Sequence, residues 1–375
     1  MRAMRTSTTT TRTTGSLCVA SRTPLFYSQL VQAYYDARRH KRNTVNQLEF
    51  ECNLDENLVK LAHELENRTY KLKPSVCFIS TKPVKREIIA ANFRDRVVHH
   101  LLYNWIYPVF DRQFIYDSYS CRKGKGTLFG IKRAAHFIKS ESRNFMYPCY
   151  VLRLDISGFF MSIDRDVLYR LCIEGLYRTH WKEVPDKDLC VFLLKTFIYN
   201  DPLKDAVFKS SEDMWSDLPR NKSLRYTQDN CGLPIGNLTS QLFGNVYLNP
   251  LDQFVKRDLR IHCYGRYVDD MVLVHRDKSI LLDATEKIRN YLEKNLSLQL
   301  HPNKVYLQNV QHGFSFLGAF ILPWRIYPSR RLVKSFKRCL KCPWQPAWRQ
   351  KNRVISYCGL LGHFNSFNLL HKFLT

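Results

Sequence analysis

In the first third of the chain, apolar residues recur every three or four positions, the period of a helix buried along one side. Leu58, Leu61, Ala62 and Leu65 share a face of "LDENLVKLAHELENRTYK". Val97, Val98, Leu101, Leu102 and Trp105 do the same in "FRDRVVHHLLYNWIYPVFDRQF", and "SQLVQAYYDARRHKRN" reads as a further helix. Between them, "SVCFISTKPVKREIIAA" holds two short β-like runs around a basic turn, and "SYSCRKGKGTLFGIKRAAHFIKS" joins a glycine-containing basic loop to a helix. The period then changes. "MYPCYVLRLDISGFF" (146–160) alternates as a strand does and stops at Asp155. Residues 163–198 return to helical spacing in two pieces, through Leu168, Leu171 and Cys172, then Leu189, Phe192, Leu193 and Phe197. Residues 199–231 are polar and irregular, after which "GLPIGNLTSQLFGNVYLNPLDQFVKRDL" leads into a long helix. A hairpin is predicted over 261–275, then a helix capped by Asp277 or Ser279 with Leu281, Ala284, Ile288 and Leu292 facing inward. "GFSFLGAFILP" reads as a β pair, and Lys334 to Lys372 as basic helices. With no internal repeat and no clear linker, the pattern predicts one continuous α+β body with its strands clustered in the middle.

Charge adds a partner to this picture. The 375 residues carry 58 Lys and Arg against 33 Asp and Glu, a net charge of +25. No carboxylate precedes Asp36, and the 82 residues after Glu293 hold 13 Lys or Arg and none at all. Such one-sidedness suits a polyanion, most simply a phosphate backbone. No apolar run is long enough for a membrane span, so no membrane partner is expected. The N-terminal "MRAMRTSTTTTRTTGSLCVASR" lacks the apolar core of a secretory signal; a nucleic-acid-touching tail is favoured there over a transit-type presequence. The twelve cysteines sit mostly in apolar contexts such as "DLCVFLL", as reduced core thiols do. Cys339, Cys342, Cys358 and His363 have spacing that could hold zinc, yet they fall on helix-like apolar positions and lack a second metal-like pair.

The hairpin stretch "YGRYVDDMVLVH" sets adjacent carboxylates, Asp269 and Asp270, inside an apolar run. A buried carboxylate needs a partner or a metal. If the strand ending at Asp155 lies beside this hairpin in one antiparallel sheet, three carboxylates converge on one edge. They would raise one another's pKa values unless a cation neutralised them. Magnesium, a hard ion with oxygen ligands that also binds substrate phosphates, suits that edge, with manganese as a substitute. Two such ions about 4 Å apart activate a 3′-hydroxyl and stabilise a leaving pyrophosphate.

"LRLDISGFFMSID", "GLPIGNLTSQLFGNVYLNPLD", "YGRYVDDMVLVH", "LQLHPNKVYL" and "GFSFLGAFI" resemble, in order, the palm motifs of reverse transcriptases. Upstream, "KPVKREIIAANFRDRVVHH" and "DSYSCRKGKGTLFGI" are similar to fingers motifs of the prokaryotic enzymes, which are related to group II intron reverse transcriptases. The resemblance covers roughly residues 30–330. It implies a right-hand polymerase fold with fingers, an antiparallel-sheet palm and a helical thumb, divided as a tail over 1–22, N-terminal helices and fingers over 23–144, palm over 145–322 and thumb over 323–375. It implies that Asp155 and Asp269 ligate both ions, that Asp270 assists peripherally and that the Ile156 carbonyl completes one coordination sphere. Phe160 matches the residue that excludes a ribose 2′-hydroxyl. Lys82, Arg86 and Arg122 match triphosphate-gripping positions, and Lys304 the position that protonates pyrophosphate. Phe316, Leu317 and Gly318 match the primer grip.

Where most reverse transcriptases carry Gln-Gly and Ser-Pro, this chain has Ile235, Gly236 and, further on, Gln241. That form looks like reverse transcriptases of diversity-generating retroelements, which copy a template RNA with errors at adenines. The expected partners are then template RNA, a DNA or RNA primer, deoxynucleotides and a small basic accessory protein, in a bacterial, phage or mobile-element cytoplasmic setting. An unassigned or defence-associated bacterial reverse transcriptase shares the same palm. A two-metal nuclease lacks the ordered motifs, and an inactive RNA-binding protein would not need the intact carboxylates. No ribonuclease H, integrase or His-Asn-His segment is recognised, so integration would need partners.

Overall fold

The computed structural model describes residues 26–39, 43–82, 84–178, 181, 183–341 and 347–374. The N-terminal tail and Cys342 lie outside them. Helices Tyr27–Arg38 and Val45–Cys52 gather on Phe93–Asp111, and Leu54–Glu66 packs against the first two. The periodic residues are the buried ones: Leu58, Leu61, Ala62 and Leu65 in one helix, Val97, Val98, Leu101, Leu102 and Trp105 in the other. Asn92 caps the long helix by accepting from the Arg94 amide.

The two β-like runs form an antiparallel hairpin, β1 (Val76–Ser80) and β2 (Arg86–Ala90). The strand predicted to stop at Asp155 is β3 (Tyr150–Leu154), followed by helices Arg165–Tyr177 and Lys187–Ile198, capped by Asp164 and Asp186. The irregular stretch that follows contributes a two-residue strand, β4 (Val207–Phe208), parallel to β1. Its two residues are both exposed, so no periodicity could announce it. Glu87 on β2 anchors this segment, accepting from Trp215 Nε1, Ser223 Oγ and the Leu224 amide at 2.9, 2.9 and 2.7 Å.

Helix Leu238–Gln253 widens into one π-helical turn before the predicted hairpin, β5 (Tyr264–Tyr267) and β6 (Asp270–His275). Asp277, rather than Ser279, caps helix Lys278–Leu296. With β7 (Tyr306–Asn309), the central sheet is antiparallel in the order β5-β6-β3-β7. Leu152, Leu154, Met271 and Leu273 join the large helical core. Val151, Val272 and Val274 join a second core with Phe137, Phe314 and Ile321. Both faces of the sheet are therefore covered, which explains the unbroken "MVLV". A third sheet, β8 (Phe314–Phe316), β9 (Ala319–Leu322) and β10 (Arg325–Pro328), leads into helices Arg330–Leu340, Ala347–Leu361 and Phe367–Leu374. No helix among the described residues is long and apolar enough to cross a membrane.

Candidate active site

The register between β3 and β6 pairs Leu154 with Met271, so the next step sets Asp155 opposite Asp270. Tyr267 and Asp270 close the adjoining hairpin around a two-residue turn, Val268–Asp269. A third segment reaches the same edge through the backbone. The His301 amide donates to the Asp155 carbonyl at 2.8 Å, and the Ser157 amide to the Gln299 carbonyl at 2.9 Å. Buried Ile156 bridges to Leu300 between them. The chain then turns, with the Lys304 amide donating to the His301 carbonyl, and Lys304 Nζ arrives 2.9 Å from Asp155 Oδ1.

The carboxylates feel one another. Burial, then the Asp155 charge, push Asp269 up from 3.8 to about 6, with Asp270 adding to the effect and Lys304 opposing it. Asp270 is also raised by burial, against the pull of Arg153, whose Nη2 lies 3.6 Å from Oδ1. Among the described residues no three His, Cys, Asp or Glu side chains enclose an ion by themselves. The donor set is nonetheless hard oxygen, and its carboxylates still raise one another although Lys304 and Arg153 stand beside them. That fits a divalent ion such as magnesium, which takes one or two carboxylates and completes its shell with water and substrate phosphate.

Around this edge the helix Leu238–Gln253 meets β2. The Ile89 amide donates to the Ile235 carbonyl at 2.8 Å, and the Ala91 amide to Asn237 Oδ1 at 3.2 Å. Gly236 has φ of 137°, and a Cβ there would lie 2.7 Å from the Ile89 carbonyl oxygen. Only glycine lets the two segments come so close. Half-buried Phe160 and Ile235 pack on the same small core of Cys77, Ile79, Ile89 and Met161. Gln241 is exposed in the first turn of the helix.

Residues 72–321 match the family described as reverse transcriptase (RNA-dependent DNA polymerase). The chain belongs to the reverse transcriptase family. Its helices and antiparallel sheet form the right-hand polymerase fold, in a family that uses divalent metal ions. The COX1/OXI3 intron 2 protein of Saccharomyces cerevisiae is 21% identical over 341 residues, 74% of this chain and 36% of that protein. YkfC of Escherichia coli is 22% identical over 277 residues, 64% of this chain and 65% of that protein. The chain thus spans about a third of one relative and just under two thirds of the other. Apo telomerase of Candida tropicalis, truncated from its C-terminal domain, superposes with a TM-score of 0.48 at 14% identity, over 71% of this chain and 58% of that one.

The remaining reverse transcriptase motif positions divide. Arg86 opens β2 exposed, and its charge reaches the Tyr267 hydroxyl beside the carboxylate turn. Lys82 is exposed in the β1–β2 turn, where Ser80 Oγ donates to its carbonyl. Phe316, Leu317 and Gly318 end β8 in a two-residue turn with φ of 48° at Leu317 and 85° at Gly318, as a type I′ hairpin requires. Leu317 packs on Gly130, where a Cβ would lie 2.7 Å from it. Arg122 turns its guanidinium to its own loop and not to the carboxylates. Its guanidinium donates to Asp111 Oδ1 and the Ile115 carbonyl, each at 2.6 Å, and to the carbonyls of Ser118 and Asp111. It clamps its own loop.

Three residues at the site were not singled out in the sequence: Arg153, Asp252 and Arg266. The signal was present, since an Arg inside "LRLD" or "YGRYVDD" must find an acceptor if the run is buried. Of the zinc-spaced residues, Cys339 is buried and Cys358 half-buried, and neither is in a disulfide. Cys77, Cys149, Cys190 and Cys263 are core thiols that burial pushes up to about 12.

Proposed function

We propose that the chain is an RNA-directed DNA polymerase that makes cDNA from an RNA template by two-metal nucleotidyl transfer. The observation that carries this reading is the meeting of Asp155, Asp269 and Lys304 on one sheet edge in a chain of the reverse transcriptase family. Asp155 and Asp269 would hold the two ions, with Asp270 assisting at the periphery and the Ile156 carbonyl completing one coordination sphere. Magnesium, or manganese in its place, supplies activation of the primer 3′-hydroxyl and neutralisation of the departing pyrophosphate. Lys304, paired with Asp155, would give a proton to that leaving group. Phe160 limits the space beside the sugar, Lys82 and Arg86 attract the triphosphate, and the Phe316–Leu317–Gly318 turn supports the primer. Arg122 acts through the loop it clamps. In this reading residues 23–144 are N-terminal helices and fingers, 145–322 palm and 323–375 thumb. Template RNA and primer lie along the basic surface.

The finer assignment is to a diversity-generating retroelement. It rests on Ile235, Gly236 and Gln241, a form that removes a polar side chain from beside the incoming nucleotide. Primer extension on an RNA template with magnesium tests the polymerase reading, wild type against Asp269→Ala. DNA product from wild type alone is expected; no product from wild type, or equal product from both, overturns it.

A further inference from the structure

The turn that carries Asp269 is held in a conformation its own residues do not favour. Val268 has φ of 56°. In a two-residue hairpin this position usually belongs to glycine, and a β-branched residue there is strained by about 1–2 kcal/mol. Such strain persists only where neighbours fix the backbone. One neighbour does so directly. Arg266 Nη1 donates to the Val268 carbonyl at 2.8 Å.

Arg266 is itself immobilised. It is fully buried on β5, and its Nε and Nη2 donate to the two oxygens of Asp252 at 2.8 and 2.7 Å. The Tyr264 hydroxyl donates to Asp252 Oδ1 at 2.7 Å, and Asn245 Oδ1 lies 3.4 Å from Arg266 Nη1. Asp252 and Asn245 are seven residues, two turns, apart on helix Leu238–Gln253, so both belong to one face of it. The strand backbone is pinned as well: the Arg266 amide donates to the Asp117 carbonyl, and its carbonyl accepts from the Tyr119 amide, both at 2.9 Å. A buried ion pair adds little net stability over well-packed apolar residues. What the bidentate fork supplies is fixed direction.

We infer that Arg266, locked by Asp252, is a positioning residue that holds the strained Val268–Asp269 turn so that Asp269 faces Asp155. The inference rests on the polymerase reading for its consequence in catalysis, while its structural core is independent of it. Displacing a reacting group by about 1 Å costs on the order of 100-fold in rate.

The test removes the charge pair together, Arg266→Gln with Asp252→Asn, so that neither charge is left alone in the core. Amide hydrogen exchange at Val268, Asp269 and Asp270 is expected to quicken at least about tenfold, while β7 is unchanged. Single-turnover nucleotide addition is expected to fall about 100-fold, with nucleotide and primer–template dissociation constants within about twofold of wild type. A folded double variant with wild-type exchange at the turn, or with quickened exchange there and a wild-type rate, overturns the inference. Should the double variant not fold, Arg266→Lys decides: it should lose rate, and adding Val268→Gly, which accepts positive φ without strain, should restore part of it. A wild-type rate in Arg266→Lys, or no rescue by the glycine, overturns the inference equally. If wild-type protein makes no DNA, the polymerase reading falls and the exchange measurement still decides the role of Arg266.

Discussion

Lys304 and Asp155, 149 residues apart in sequence, form a direct ion pair of 2.9 Å at the edge of the central sheet. The pair exists because residues 299–301 run beside Asp155 through two backbone hydrogen bonds, and the turn after them returns Lys304 to the carboxylate. Lys304 balances the Asp155 charge directly, and it is among the groups that pull Asp269 down. Lys304→Ala should therefore move Asp269 further above 6 and slow nucleotide addition roughly 100-fold, the usual scale for one acid–base group. Lys304→Arg should keep the ion pair and the Asp269 titration while losing most of the rate. Equal rates in all three proteins would remove Lys304 from the chemistry.

The raised value of Asp269 has a consequence for stability. Between 3.8 and about 6 the folded protein holds this proton more tightly than the unfolded chain does. Stability is fully supported below about pH 4, is lost as pH rises through 6, and stays at the lower level above it. In metal-free protein Asp269→Asn should be more stable than wild type at pH 8, by roughly 1–2 kcal/mol after solvent screening, with the difference gone at pH 4. Added magnesium should stabilise wild type at pH 8 more than it stabilises the variant. Denaturant unfolding at the two pH values measures both effects, and a variant less stable than wild type at pH 8 would contradict the coupling.

Arg122 allows two outcomes to be separated. Its guanidinium side chain is 6% exposed and engaged with Asp111 and three backbone carbonyls. Arg122→Gln should lower unfolding free energy by about 2–4 kcal/mol, because it leaves buried carbonyls unpaired. Nucleotide KM at a permissive temperature should change less than about threefold. The reverse result, a large KM rise with unchanged stability, would give Arg122 the triphosphate role that its motif position implies.

These contrasts show what the sequence could carry. Helices with one apolar face were legible because burial repeats at 3.6 residues, as in Leu58, Leu61, Ala62 and Leu65. The β3–β6 meeting was legible through its chemistry, since carboxylates in apolar runs need a cation or another partner, and one shared cation can serve several. β4 was not legible, because two exposed residues have no period, and its place depends on Glu87 collecting three donors from 128 to 137 residues away. Arg122 and Arg266 show the same limit from the other side. A basic residue in a motif looks alike whether its guanidinium meets a phosphate or a buried carbonyl, and only the distribution of acceptors around it tells the two apart.

Ile235 is where the subtype reading meets the structure. Its carbonyl accepts from the Ile89 amide at 2.8 Å, so its backbone ties helix Leu238–Gln253 to β2. Its side chain is half-buried and packs on the same core as Phe160. The backbone bond survives any side chain, so Ile235→Gln should leave the fold intact, with a loss of no more than about 1–2 kcal/mol from exchanging apolar for polar packing. What changes is the chemistry at the wall that Phe160 also builds: an amide there offers a hydrogen bond that isoleucine cannot. A site able to hydrogen-bond a substrate discriminates more strongly than an apolar one of the same shape. Misincorporation opposite template adenine should therefore fall in Ile235→Gln by about tenfold, with other template bases little affected, as read by sequencing cDNA made on a defined RNA. An unchanged spectrum at adenine, in a variant that still extends primers, would separate Ile235 from fidelity and leave the retroelement assignment without its physical basis.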